Sequence, residues 1–184
     1  EECGEKLISL RDIVNDAGVE VLFSTSNHVR GLPRLFYLRE GQITGFIGVA
    51  TAMNKRGWVM RVEDGYRTAE MQKYLGRTPL VFDGVLKKVM WELGGEIPTP
   101  EFMFKRCSTL VASIPKFGTH MSGSAIDISV LQRGNTSIEI DRGALYLEVS
   151  ALTPMNSPFI SAEAKRNRQE INEMMWQFGF VDYP

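Results

Sequence analysis

Apolar positions recur at helical spacing near both ends of the chain and alternate like strands between them. In "LISLRDIVND", Leu7, Leu10, Ile13 and Val14 share one helical face, and Gly18 just beyond suits the helix end. "EVLFST" reads as a strand. "WVMRVE" alternates Trp58, Met60 and Val62 against Val59, Arg61 and Glu63, which predicts a second strand. "DGYR" follows at once, and Asp64-Gly65 signals a turn. "TAEMQKYL" predicts a helix capped by Thr68, and "VFDGVLKKVMWEL" a helix ending at Gly94-Gly95. The clearest helix is "AEAKRNRQEINEMMWQFGF". Its Ile171, Met174, Met175 and Phe178 fall on one face, and Gly179 suits the position after the cap. Helices and strands mix without a βαβ rhythm or a glycine-rich phosphate loop. The expected class is α+β, with helices packed on a central, mostly antiparallel sheet.

Composition narrows the function classes. The 184 residues suit one domain, residues 1–184, and 43% are hydrophobic, enough for a sizeable core. Twenty-one basic against 22 acidic residues give a net charge of −1, which argues against nucleic-acid binding through phosphate neutralisation. The longest apolar run, "GFIGVATAM", is short and broken by glycines, so no membrane span of roughly 20 residues is expected. Cys3 and Cys107 are the only cysteines, compatible with two thiols or a single disulfide. "EECGEKLISL" is not a signal peptide and does not begin with Met. A cytoplasmic placement is expected, with a periplasmic or exported one as the alternative. Oligomeric state is not written in these residues.

The chemistry concentrates in "FGTHMSGSAIDISV". As a strand, "SAIDISV" sends Ile126, Ile128 and Val130 to the core and Ala125, Asp127 and Ser129 to the opposite face. Asp127 then projects among small residues. Ser122 and Gly123 make a turn that would let His120 fold back toward it. Imidazole and carboxylate are both zinc ligands, and a strand holds its carboxylate in a fixed direction. By spacing alone, the pair is either half of a metal site or a surface loop beside a polar strand face.

The whole string resembles the His-x-x-Gly-x-Ala-x-Asp signature of zinc D,D-peptidases, with His120, Gly123, Ala125 and Asp127 at its fixed positions. Within that group it is most similar to the bacterial D-Ala-D-Ala dipeptidases of the vancomycin-resistance type. Their Ser-His-Ser-Arg-Gly-Ser-Ala-Ile-Asp-Leu run looks like Thr119 to Ile128, and their Asp-Gly-Tyr-Arg motif is present as Asp64, Gly65, Tyr66 and Arg67. "TSNHVRGLPRLFYL" resembles the family's upstream Asn-x-x-Gly segment.

The resemblance implies the small α+β fold of the zinc D,D-peptidases and one Zn2+ per chain, with His120 and Asp127 as ligands. It implies Arg67 as the group that stabilises charge on the peptide carbonyl during attack. Zinc lowers the pKa of bound water to roughly 7, and a guanidinium offers five donors to a developing oxyanion. Asp64 and Tyr66 would shape the turn that aims Arg67. Ser124 is either a substrate contact or a small residue admitted for packing. Glu148, in "ALYLEVS", is either the acid that receives the substrate's amino group or an ordinary strand carboxylate.

The implied activity is zinc-dependent hydrolysis of D-Ala-D-Ala or a similar short D-amino-acid peptide, in cell-wall metabolism. The alternatives are a peptidoglycan D,D-carboxypeptidase or endopeptidase of the same zinc group, and a non-catalytic binding domain on that scaffold. The family pattern continues with Glu-Trp-Trp-His, whose Glu is the general base and whose His is the third ligand. Here "FGFVDYP" reaches Pro184 first. Three explanations stand. The segment lies beyond Pro184, the chain is inactive, or His28 or Cys107 supplies a substitute ligand. Residues 1–184 alone are expected to be inactive.

Overall fold

A computed structural model of the chain describes residues 3–27, 31–110, 118–148 and 150–182. Among them lie β1 (Leu7–Ser9), α1 (Leu10–Ala17), β2 (Val21–Phe23), β3 (Tyr37–Arg39), α2 (Ile43–Arg56), β4 (Trp58–Asp64) and α3 (Ala69–Leu75). They are followed by α4 (Pro79–Glu92), α5 (Pro100–Leu110), β5 (Asp127–Gln132), β6 (Asn135–Glu139) and α6 (Ala162–Gln177). The class is mixed α+β. A four-stranded sheet runs in the order β2-β4-β5-β6, and β1 pairs with β3 in a separate two-stranded ribbon. Two of the three pairings in the larger sheet are antiparallel, and β2 runs parallel to β4.

That parallel pair corrects the expectation of a chain without a βαβ rhythm. The crossover between β2 and β4 contains α2, a helix that the apolar pattern did not predict. Its Ile43, Ile47, Val49 and Thr51 are β-branched, and Gly45 and Gly48 lower its intrinsic propensity. Tertiary contact explains the glycines. A Cβ on Gly45 would lie 2.5 Å from the Phe178 carbonyl oxygen, and one on Gly48 would lie 2.4 Å from the Phe178 ring. These glycines let the end of α6 lie directly on α2.

The core forms between these helices and one face of the sheet. Phe46, Val49 and Met53 of α2 are fully buried with Met60 and Val62 of β4, Val130 of β5 and Leu10 of α1. Ile171 joins them from α6, and Met174, Met175 and Phe178 pack against them as their spacing predicts. The strand alternation is also observed: Trp58, Met60, Val62 and Val130 enter this core.

Two local expectations are corrected. Leu7 is not helical. It pairs with Arg39 in the β1–β3 ribbon, and the extended Ser9 marks where α1 begins. The Asp64-Gly65 pair makes no turn. The chain runs on in extended form to a bridge between Tyr66 and Leu35. Gly65 answers a need for space rather than for a left-handed backbone. A Cβ there would lie 2.7 Å from the Leu35 carbonyl oxygen and 3.2 Å from backbone atoms of Phe36 and Tyr37.

Candidate metal centre

The candidate site forms where β4 and β5 meet. Val62 pairs with Ile128 and Asp64 with Asp127, so Glu63 is an extra residue on β4. Without this bulge Glu63 would oppose Asp127, and Asp64 would turn toward the core. The bulge brings Asp64 to the face of Asp127. Asp64 is 1% exposed, and its Oδ2 accepts a 2.6 Å hydrogen bond from Arg67 Nε. Arg67 Nη1 donates to Gln72 Oε1 at 3.2 Å, and Gln72 is itself buried in α3. The guanidinium is thereby locked on two sides. Its Nη2 lies 3.5 Å from Asp127 Oδ2.

His120 arrives on a 3₁₀ turn, His120–Ser122. The Thr119 side chain accepts from the Ser122 N–H, and the Ser122 hydroxyl accepts from the Thr119 N–H. Gly123 ends the turn at φ +76°, and a Cβ there would lie 2.6 Å from Leu7. The glycine is required both by its dihedral and by its neighbour. The turn is laced to the Arg67 segment, because the Arg67 N–H donates to the His120 carbonyl at 3.1 Å.

The imidazole orientation has a chemical consequence. His120 Nδ1 lies 2.6 Å from the Gly65 carbonyl oxygen, which can only accept, so Nδ1 carries a proton. In the neutral ring Nε2 then presents its lone pair. It lies 3.4 Å from Asp127 Oδ1. Two ligands of a tetrahedral zinc, each bonded at about 2.0–2.1 Å, stand about 3.3 Å apart. The pair therefore fits a shared divalent cation in both spacing and donor chemistry. A backbone carbonyl behind the ligating histidine is the usual support for such a ligand.

Asp127 retains about a third of its side-chain exposure, at 35%. Burial raises the affinity of its carboxyl for a proton. When Nε2 is protonated, the hydrogen bond and charge of His120 oppose this, together with Arg67 and the Tyr146 hydroxyl. Their sum holds Asp127 below the usual carboxylate range. Tyr146 donates to Asp127 Oδ2 at 3.0 Å. Burial first, and then the Asp127 and Asp64 carboxylates, push its phenol well above its ordinary value, so it remains a donor.

The structure brings Arg67 to the neighbouring His120 and Asp127, although Arg67 is remote from both along the chain. Ser124 is bonded to the turn that carries His120, its N–H donating to the Thr119 carbonyl at 3.3 Å. Its hydroxyl lies 2.5 Å from that of Ser122 and accepts from the Gly118 N–H at 3.2 Å, which braces the turn. Glu148 does not join the cluster. It lies in a turn rather than a strand, and its carboxylate takes the Leu145 N–H at 3.3 Å and the Ser150 hydroxyl at 2.8 Å. No protein-family model matches the chain, and no curated protein matches it.

Among the described residues, no three His, Cys, Asp or Glu side chains gather as a metal would require. Cys107 packs against the cluster formed by α4 and α5, so it does not complete the His120–Asp127 pair. His28 lies outside the described residues.

Two residues of the site escaped the sequence reading. Tyr146 stands beyond β6, and only the fold brings it to Asp127. Arg34 sits in the "VRGLPRLF" stretch with its side chain 5% exposed. It donates to the Glu63 carbonyl and stands 5.8 Å from the Tyr146 ring centroid. A buried arginine on the bulge residue has no local periodic signal. The Tyr two residues before Glu148 was visible in "ALYLEVS", but nothing in that string points to Asp127.

Proposed function

We propose that this protein is a zinc-dependent peptidase of the D,D-peptidase group, hydrolysing D-Ala-D-Ala or a similar short D-amino-acid peptide. One observation carries the reading. His120 Nε2 and Asp127 Oδ1 stand at ligand-to-ligand spacing, with the Arg67 guanidinium against the other Asp127 oxygen. The α+β architecture, with Asp127 on the central sheet, supports the same reading.

His120 and Asp127 would hold the ion. When bound, zinc supplies water acidic enough to be deprotonated near neutral pH and polarises a carbonyl. The protein's own contribution is geometric. Asp64 and Gln72 occupy Nε and Nη1 of Arg67, leaving Nη2 as the edge turned toward Asp127. A guanidinium already fixed in this way stabilises developing negative charge with little reorganisation. Gly65 links the two halves. Its carbonyl sets the His120 tautomer, and its N–H donates to Asp64 Oδ1 at 3.0 Å. The general base and third ligand implied by the resemblance belong to a Glu-Trp-Trp-His segment that residues 1–184 do not contain.

The test uses protein expressed from its full coding sequence. Metal analysis should find one tightly held zinc per chain, and D-Ala-D-Ala should yield free D-Ala. Removal of zinc by a chelator should abolish release, and added zinc should restore it. Cleavage of longer wall fragments but not of the dipeptide would point to a carboxypeptidase or endopeptidase. Absence of both zinc and turnover overturns the reading in favour of a binding domain.

A further inference from the structure

We propose that Tyr146 is a positioning residue that holds the Asp127 carboxylate in single-oxygen geometry toward the ion, and that the strained turn at Leu147 presents it. This rests on the metal-site reading above. The two oxygens of Asp127 are differently engaged. Oδ2 accepts from the Tyr146 hydroxyl at 3.0 Å and faces Arg67 Nη2 at 3.5 Å. Oδ1 faces His120 Nε2. A carboxylate tied at one oxygen cannot swing both toward a cation, and its remaining oxygen has a fixed direction. Partners of this kind behind a ligand commonly set metal affinity.

The turn that delivers Tyr146 is itself held under strain. Leu147 adopts φ +67°, the non-glycine residue with a left-handed backbone among the described residues. Such a conformation is unfavourable for an L-residue and persists only where its surroundings over-determine it. The surroundings do so here. The Glu148 carboxylate closes the turn onto the Leu145 N–H and the Ser150 hydroxyl. Beyond it, the buried Arg168 of α6 donates to the carbonyls of Arg142, Leu152 and Pro154, pinning the chain on both sides of Tyr146 to the helix. Arg34 stands beside the ring of Tyr146. Strain retained at a residue adjoining a ligand's partner points to a requirement on where that partner sits. It also gives Glu148 work as a turn clamp.

The test is zinc affinity by competition with a chromogenic chelator, on protein from the full coding sequence. Tyr146→Phe removes one oxygen and keeps the ring. It should bind zinc about 10- to 100-fold more weakly than wild type. Its cobalt(II) form should show altered visible bands as the carboxylate gains freedom, while the metal-free melting temperature stays within a few degrees. The metal-free melting temperature separates the two roles, because a packing role lowers it together with zinc affinity and a hydroxyl role does not. Wild-type zinc affinity and an unchanged cobalt spectrum in Tyr146→Phe overturn this inference and leave the metal site standing. Failure of the wild-type protein itself to bind zinc overturns the metal-site reading and this inference with it.

Discussion

The α2–α6 face of the sheet and the α4–α5 hairpin are both helix pairs, yet they are held differently. Between α2, α6 and the sheet, Phe46, Val49, Met53, Met60, Val62 and Val130 have no solvent exposure, and residues from every neighbouring element join them. The α4–α5 pair packs mainly on itself around Val85, Val89 and Met103. Its other faces leave Leu80, Phe82, Trp91 and Phe104 between 50% and 77% exposed. Arg106 Nη2 donates to both Glu92 carboxylate oxygens, at 2.7 and 2.8 Å, and adds a partly exposed tie. Such ties contribute up to about 1 kcal/mol. The candidate site belongs to the first region. Asp64 and Asp127 project from the strands that the deep core holds, and His120 and Tyr146 are bonded onto that frame. Precise placement of polar groups thus coincides with the part of the molecule where packing leaves least freedom.

Four substitutions sharpen or break this contrast, in falling order of expected size. Phe46→Ala empties the centre of the first region and should cost about 3–5 kcal/mol in global stability by urea denaturation. A loss below about 1 kcal/mol would mean that the two regions are not distinguished by packing. Arg67→Ala should lower kcat/KM by about 100- to 1,000-fold, roughly 3–4 kcal/mol in the barrier, with zinc still bound. Retention of full activity would remove Arg67 from the chemistry.

Met103→Ala acts on the hairpin and should cost about 2–3 kcal/mol, within the range for buried methionine. Hydrogen exchange should show the loss locally, with faster exchange in α4 and α5 and unchanged protection in β4 and β5. Equal acceleration in both regions would show that the hairpin and the sheet open as one unit. Gly65→Ala forces a methyl against the backbone of Leu35 to Tyr37 and should cost about 1–3 kcal/mol. Because the Gly65 carbonyl holds His120 Nδ1, zinc affinity should fall as well. Unchanged affinity would indicate that His120 is oriented without it.

Elements with a strong local period were legible. The helix Ala162–Gln177, the Thr68 cap and the two faces of "SAIDISV" follow from spacing and capping chemistry alone, because each depends on residues within a few positions. The proximity of His120 to Asp127 was legible for the same reason, since one turn and one strand separate them. Helix α2 was not. Its glycines and β-branched residues argue against a helix until Phe178 is seen lying on them.

Arg67 could be tied to the pair only through a resemblance, because its approach depends on β4 lying beside β5 with Glu63 bulged out. No string near Arg67 encodes that pairing. Tyr146 and Arg34 were invisible for a further reason. Their partners are Asp127 and Glu63, 19 and 29 residues away, and a single tyrosine or arginine carries no period from which to infer them.

The amino-acid order by itself determined the α+β character, the inward faces of β4, β5 and α6, and the small-residue turn that points a histidine back at an aspartate. These are short-range matters of side-chain period, capping and steric freedom. Tertiary structure alone decided which oxygen of Asp127 is tied and which is presented, where Arg67 is aimed, and why Gly45, Gly48 and Gly65 must lack a side chain. Those outcomes depend on distances between segments remote in sequence, and only the packed core sets them.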